Sequence, residues 1–235
     1  MKTEDDRQNQ FSDYVVPDPG RILKVKKWLL GKKIIRTDSV SNILEIGYSI
    51  GGLLDQLSGY SELKKYAMDI NQKDTPGDIE FYKCDCNRGF PDFDGVTFDV
   101  VFAGEVIEHI FDDEQFLKNI HMHLKPGGVL VLTTPNLFFL PNRILFPFGI
   151  KPFFAWQKFH YHTYDIRTLS DMVRQSGYEI KKIKSSHILI SSRKFRRIGR
   201  FFEMLGDWFP SIGGHIILFA EKEQTPGREE PVRRY

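Results

Sequence analysis

Asn42-Ile43-Leu44-Glu45-Ile46-Gly47-Tyr48-Ser49-Ile50-Gly51-Gly52 is the stretch on which the fold turns. A short apolar run enters a turn built of small residues, and Gly51 to Leu57 then reads as the start of a helix. Small residues at such a strand end let the backbone approach a ligand without Cβ obstruction. Alone, the stretch is equally an ordinary tight strand–helix turn. Asp69 closes the next predicted strand 22 residues after Gly47. That offset is the one at which an acidic side chain accepts hydrogen bonds from ribose hydroxyls in nucleotide-binding folds.

Outward from this turn the chain keeps an alternating rhythm. Lys65–Ile70, Ile79–Cys84 and Phe98–Phe102 read as strands, Asp112–Leu124 as an amphipathic helix, and Val129–Thr133 as a fifth strand after the stop Lys125-Pro126-Gly127-Gly128. Pro19-Gly20 opens a helix through Leu30, with Ile22, Val25, Leu29 and Leu30 as its apolar stripe. Asn136–Phe159, dense in Phe and Pro, reads as a loop or lid. Thr163–Gly177 reads as a helix, Tyr178 to about Ile190 as a strand, and Gly214–Glu221 as the last strand. Alternating short apolar strands and helices predict an α/β, Rossmann-like, doubly wound sheet of seven strands, mostly parallel with an antiparallel last strand. Residues 11–224 make one domain, with a lid at 137–162 and a basic amphipathic insertion at 193–210, between polar tails at 1–10 and 225–235.

The balance of 33 basic and 31 acidic residues gives a formal charge of +2, which makes no electrostatic case for a general nucleic-acid binder. The two cysteines, Cys84 and Cys86, lie two apart on one strand face and make a poor disulfide, so a reducing cytoplasm is expected. Met1–Gln10 has no apolar core of a signal peptide, and no apolar run approaches the ~20 residues that span a bilayer.

A carboxylate at the tip of the first strand, Glu45, repels pyrophosphate and suits a cofactor carrying a positive amino group. Asp85, at the end of the third strand, is placed either to accept from an adenine amino group or to cap its own turn. With Ile43-Leu44-Glu45-Ile46-Gly47 and Gly51, Asp69, Asp85, Phe98-Asp99-Val100-Val101, Glu108-His109 and Leu124-Lys125-Pro126-Gly127-Gly128 in this order, the chain resembles the class I S-adenosylmethionine-dependent methyltransferases, over roughly residues 40 to 190. Thr134-Pro135-Asn136 resembles one large branch of them, which includes the ubiquinone-type O-methyltransferases. The resemblance implies S-adenosylmethionine as cofactor and S-adenosylhomocysteine as product. It implies that Glu45 and Gly47, with Ser49 and Gly51 in the turn, frame the methionine end. It places Asp69 and Ile70 at the ribose, Asp85 and Cys86 at the adenine, and Gly104 on the floor. Ser49 stands where the family has its second glycine, which puts the geometry of that turn in question.

Methyl transfer to oxygen also asks for a base or a metal to take the acceptor's proton. Glu105, Glu108 and His109 have the spacing Glu-x-x-Glu-His, which on a helix puts all three on one face. They are the candidate catalytic set. With His160 they are also a candidate divalent-metal set, resembling metal-using catechol and small-RNA 2′-O-methyltransferases, although a pocket or base role for His109 is the expected one. His162, in His160-Tyr161-His162-Thr163-Tyr164, is a further catalytic candidate. The aromatic lid fits an apolar small-molecule, glycan or lipid-linked acceptor, a satellite core or a dimer contact. Arg193, Lys194, Arg196, Arg197 and Arg200, interleaved with Phe195, Ile198, Phe201 and Phe202, suit either peripheral contact with an anionic membrane or an ordinary surface helix. The competing expectations are an RNA 2′-O-methyltransferase, a non-catalytic scaffold of the same fold, and a dinucleotide oxidoreductase. Glu45 and the incomplete Gly-x-Gly-x-x-Gly pattern count against the last.

Overall fold

A computed structural model describes residues 19–35, 41–153, 159–186 and 207–223. Both tails, Trp156 and residues 193–206 of the basic insertion lie outside the described residues. Helix α1 (Pro19–Gly31) precedes strand β1 (Ser41–Ile46), the one-turn helix α2 (Leu53–Gln56), β2 (Leu63–Asp69), β3 (Ile79–Lys83) and β4 (Phe98–Gly104). Helix α3 (Asp113–His123), β5 (Leu124–Pro135), α4 (Leu140–Leu145), α5 (Ile166–Gln175), β6 (Tyr178–Ser185) and β7 (His215–Lys222) follow. The seven strands form one sheet in the order β3-β2-β1-β4-β5-β7-β6, with β7 antiparallel to both neighbours and the others parallel. This is the predicted architecture.

Both faces of the sheet are covered, so its central strands are apolar on both sides and alternate only in which layer they feed. Ile43, Val100, Phe102, Val131 and Phe219 pack with Ile22, Val25 and Leu29 of α1. Leu44, Ile46, Val101, Ala103 and Leu132 pack with Phe116, Leu117 and Ile120 of α3 and Leu169 and Val173 of α5. Both larger helices on that second face are capped by aspartates: Asp112 accepts from the Gln115 amide, and Asp165 from those of Arg167 and Thr168.

Two sequence expectations change in detail. The Asn136–Phe159 stretch is not simply a loop: its described part holds α4 and a 3₁₀ turn at Phe146–Phe148. The cause is buried Asn142, whose amide donates to the carbonyls of Leu137 and Phe153 and accepts from the Phe153 amide, so one side chain replaces the missing backbone partners. Strand β5 also begins earlier than Val129, taking in the Lys125–Gly128 stop: Leu124 is already extended at the end of the helix and pairs with Phe98, and Gly127, at φ +72°, lies in the register shift before Val129. The predicted strand beyond Ser185 runs out of the described residues.

Candidate active site

Strand register sets the site. Ile46 pairs with Met68 on one side and Ala103 on the other, so the next residues, Gly47, Asp69 and Gly104, line up at the carboxyl ends of β1, β2 and β4. The Cys84 amide donates to the Asp69 carbonyl at 2.9 Å, which brings Cys84-Asp85-Cys86 to the same edge. The strand order reverses between β1 and β4, the position where open α/β sheets bind their ligands.

The turn after β1 is fixed from both sides. Gly47 sits at φ +75°, and a Cβ there would lie 2.5 Å from Val106 Cγ2. Asp55 accepts from the Gly51 amide at 2.6 Å and from the Tyr48 hydroxyl at 2.8 Å. Ser49 is not among the residues with positive φ, so serine at the family's second glycine position meets no backbone strain. Glu45 is buried and gives its two oxygens to the amides of Leu53 (3.2 Å) and Leu54 (2.8 Å). It therefore holds the first turn of α2 in place, a structural task the sequence reading did not assign. Burial pushes its carboxyl up to about 7 against the pull of those amides. Gly52 makes this possible, since a Cβ there would fall 2.2 Å from Glu45 Oε1 and 2.9 Å from the Ser49 carbonyl. Gly52→Ala is expected to destabilise the fold by about 1–3 kcal/mol, the usual penalty of overpacking. Chemical denaturation measures this, and a midpoint equal to wild type would contradict the turn described.

Along the edge, Asp69 is half-buried, accepts from the Asn71 amide at 2.7 Å, and is raised above its ordinary range by that burial. Ile70 follows it, half-buried. Asp85 caps the 3₁₀ turn Cys86–Arg88 by accepting from the Asn87 amide at 3.0 Å, the capping alternative of the sequence reading, while Cys86 packs against the core. Among the described residues, two buried nitrogens lack a hydrogen-bond partner near the two ends of this row: Asn71 Nδ2 beside Asp69, and Arg21 Nε beside Glu105. Buried orphan donors are costly unless something else satisfies them. Glycines at the ends of β1 and β4, an acidic group at the end of β2 and a spare donor near each end fit a nucleoside joined to an amino acid.

The Glu-x-x-Glu-His group does not form one helical face. Glu105 takes φ +58° and leaves β4 ahead of a 3₁₀ turn, Ile107–His109, so its side chain departs from the other two. It meets Arg21 Nη1 at 2.5 Å, His215 Nε2 at 3.3 Å and the Thr133 hydroxyl at 2.9 Å. Burial alone would raise its carboxyl, but Arg21 and His215 outweigh burial and hold it below the usual range. Glu108 is buried, accepts from the Thr134 hydroxyl at 3.0 Å, and is driven well above the usual range by burial and then by the charge on Glu105.

His109 Nδ1 lies 2.9 Å from the Phe159 carbonyl. A carbonyl only accepts, so Nδ1 carries the proton and Nε2 keeps its lone pair. Burial lowers the imidazole below its ordinary value. The His160 ring lies 4.7 Å from that of His109, and ligand atoms of Glu108, His109 and His160 all fall within 4.8 Å of one another. His162 is turned away: its Nε2 faces the Phe111 carbonyl at 3.2 Å and its Nδ1 lies 3.8 Å from Asp113. The structure therefore gathers Glu108, His109 and His160, draws Glu105 aside as the partner of Arg21, and leaves His162 out. Arg21, His215 and Thr133 were not singled out by the sequence, and Thr134 was marked only as part of Thr134-Pro135-Asn136. The available signal was that Arg21 stands four residues before Val25, on the buried stripe of α1.

Two glycines and an aspartate at adjacent strand ends, at the switch point of a 3-2-1-4-5-7-6 sheet, fit one class of protein. The model of the methyltransferase-domain family matches residues 20–183, and the chain belongs to that family, within the class I S-adenosylmethionine-dependent methyltransferases. It is similar to the mitochondrial ubiquinone biosynthesis O-methyltransferase of Homo sapiens, 32% identical over 98 residues, covering 37% of this chain and 24% of that one. It is also similar to phosphoethanolamine N-methyltransferase 3 of Arabidopsis thaliana, 30% identical over 104 residues, covering 43% of this chain and 19% of that one. The matched part thus spans about a quarter or less of these relatives' own length. A Mesorhizobium loti S-adenosylmethionine-dependent methyltransferase shares the fold at a TM-score of 0.56 and 13% identity, covering 83% of this chain and 97% of that one.

Proposed function

We propose that this chain binds S-adenosylmethionine along the β1–β4 edge and methylates an oxygen of an apolar small-molecule or lipid-linked acceptor, with His109 as the base. The observation that carries the reading is the row Gly47, Asp69 and Gly104 at adjacent strand ends, next to a neutral imidazole. Gly47 and Gly104 let the backbone come close, Asp69 accepts from the ribose hydroxyls, and Asp85 with Cys86 borders the adenine. Arg21 Nε receives the amino-acid carboxylate, with Ser49 and Gly51 lining that end. When bound, the cofactor supplies a methyl group on a positively charged sulfur. His109 Nε2 takes the acceptor's proton, while Glu108 holds the 160–162 backbone through its main-chain carbonyl, which accepts from the Tyr161 amide at 2.8 Å. Positioning supplies much of the remaining acceleration in such transfers.

The relatives support methylation at oxygen in one case and at nitrogen in the other. The choice of oxygen rests on the presence of the base. The near-neutral charge supports a small molecule over RNA, and the free thiols of Cys84 and Cys86 accord with a cytoplasmic setting. Among the described residues no helix is long and apolar enough to cross a membrane. The cluster of Glu108, His109 and His160 supports a second reading, in which its one oxygen and two nitrogens hold a divalent cation of the zinc or manganese type. Calorimetry with S-adenosylhomocysteine tests the proposal: saturable one-to-one binding is expected, and its absence overturns both readings.

A further inference from the structure

The excursion between β5 and α5 presents an unusual surface. Phe148 is 74% exposed and Ile144 59%, and Phe138, Phe146, Ile150 and Phe153 are partly exposed beside them. Large apolar side chains scattered singly are ordinary, whereas a contiguous series on one short segment marks an interaction site. The turn at Pro210–Ile212 adjoins it, because Arg143 Nη2 donates to the Ser211 carbonyl at 2.8 Å; Trp208, 72% exposed, and Phe209 lead into that turn.

Charge selects the partner. From Gln115 to Tyr164 the chain has no acidic residue, and within 138–153 it carries Arg143 and Lys151. Arg143 also donates to the Phe138 carbonyl and lies 5.8 Å from the Phe138 ring. Carbonyls orient a guanidinium without neutralising it. Exposed aromatics on a segment carrying basic and no acidic side chains are the composition of an interfacial membrane contact, where rings enter the acyl boundary and cations meet anionic headgroups. A protein partner of ordinary composition would be expected to meet some acidic side chains here for specificity.

The excursion is held at both ends, and at one of them by the active site. The Leu137 amide donates to the Tyr164 carbonyl at 2.8 Å, and the Phe159 carbonyl receives His109 Nδ1 at 2.9 Å. We infer that residues 138–153, with Trp208 and Phe209, seat on an anionic lipid surface and so place the catalytic cluster at the rim of a bilayer. This rests on the proposed function for its consequence, an acceptor drawn from the membrane, but not for the contact itself.

Flotation with phosphatidylcholine–phosphatidylglycerol vesicles, against phosphatidylcholine alone, tests it on the full chain and an Ile144→Ser/Phe148→Ser variant. Both substituted side chains are exposed, and unchanged melting of the variant checks that it folds. Wild type is expected to co-float with the anionic vesicles only, and the variant to lose roughly tenfold or more of that recovery, as burying two such side chains implies. Equal recovery of the two proteins, equal recovery on neutral vesicles, or no recovery of wild type overturns the inference. So does sedimentation showing a wild-type dimer that the variant dissociates, since the surface would then be a contact between copies. Calorimetry with S-adenosylhomocysteine on the same samples reads the methyltransferase proposal separately.

Discussion

His109→Ala is expected to lower the methyl-transfer rate by about 10²–10⁴-fold, the usual worth of a positioned general base, with S-adenosylhomocysteine binding unchanged. The imidazole earns this role from its hydrogen bond to the Phe159 carbonyl, which leaves Nε2 as the acceptor, and from burial, which lowers its proton affinity. The direction of the pH dependence follows. A base works unprotonated, so the wild-type rate should rise with pH through an apparent value below the ordinary histidine range, then stay flat through neutrality. The variant should lose that acid limb, a change that removal of a merely packed residue would not produce. Glu108→Gln keeps a neutral group of the same shape and is expected to cost less than tenfold, because burial and the charge on Glu105 already favour the neutral form of Glu108. If instead a chelator abolishes turnover and zinc or manganese restores it, His109 acts as a ligand and the base assignment fails.

Asp69→Ala is expected to weaken S-adenosylhomocysteine binding about 100-fold or more. Hydrogen bonds to a charged acceptor contribute about 1.5–3 kcal/mol each, and two ribose hydroxyls lost together come to about 3 kcal/mol or more. Stability should change little, because the one structural partner of the carboxylate described above is the Asn71 amide in the half-buried turn after β2. Calorimetry against the wild type separates the two effects. Affinity within threefold of wild type, in a variant of unchanged melting temperature, would remove the ribose from this edge.

The sheet was legible because its signals are local. Alternating short apolar runs and helices require a covered parallel sheet, and Gly47, Asp69, Asp85 and Gly104 were each marked by standing at the end of such a run. What the chain hid depends on distant partners. The pairing of Glu105 with both Arg21 and His215 joins the end of β4 to α1 and β7, three segments that no short pattern connects. The Glu-x-x-Glu-His spacing misled in one respect: helical periodicity puts Glu105 with His109, but the positive φ at Glu105 breaks that period. Glu45 was read as facing the ligand, whereas the donors nearest to it are the amides of its own following helix. Asn142 also gave no warning, since an asparagine in an apolar stretch reads as a turn until its three backbone partners are seen.

The two ends of the excursion are fastened by main-chain groups, the Leu137 amide to the Tyr164 carbonyl ahead of α5 and the Phe159 carbonyl to His109 of the catalytic turn. Such anchoring takes no account of which side chains lie between. Acceptor preference can therefore drift, or be engineered, by exchanging this cassette whole, while the nucleoside-binding edge and the proton-accepting imidazole are inherited intact.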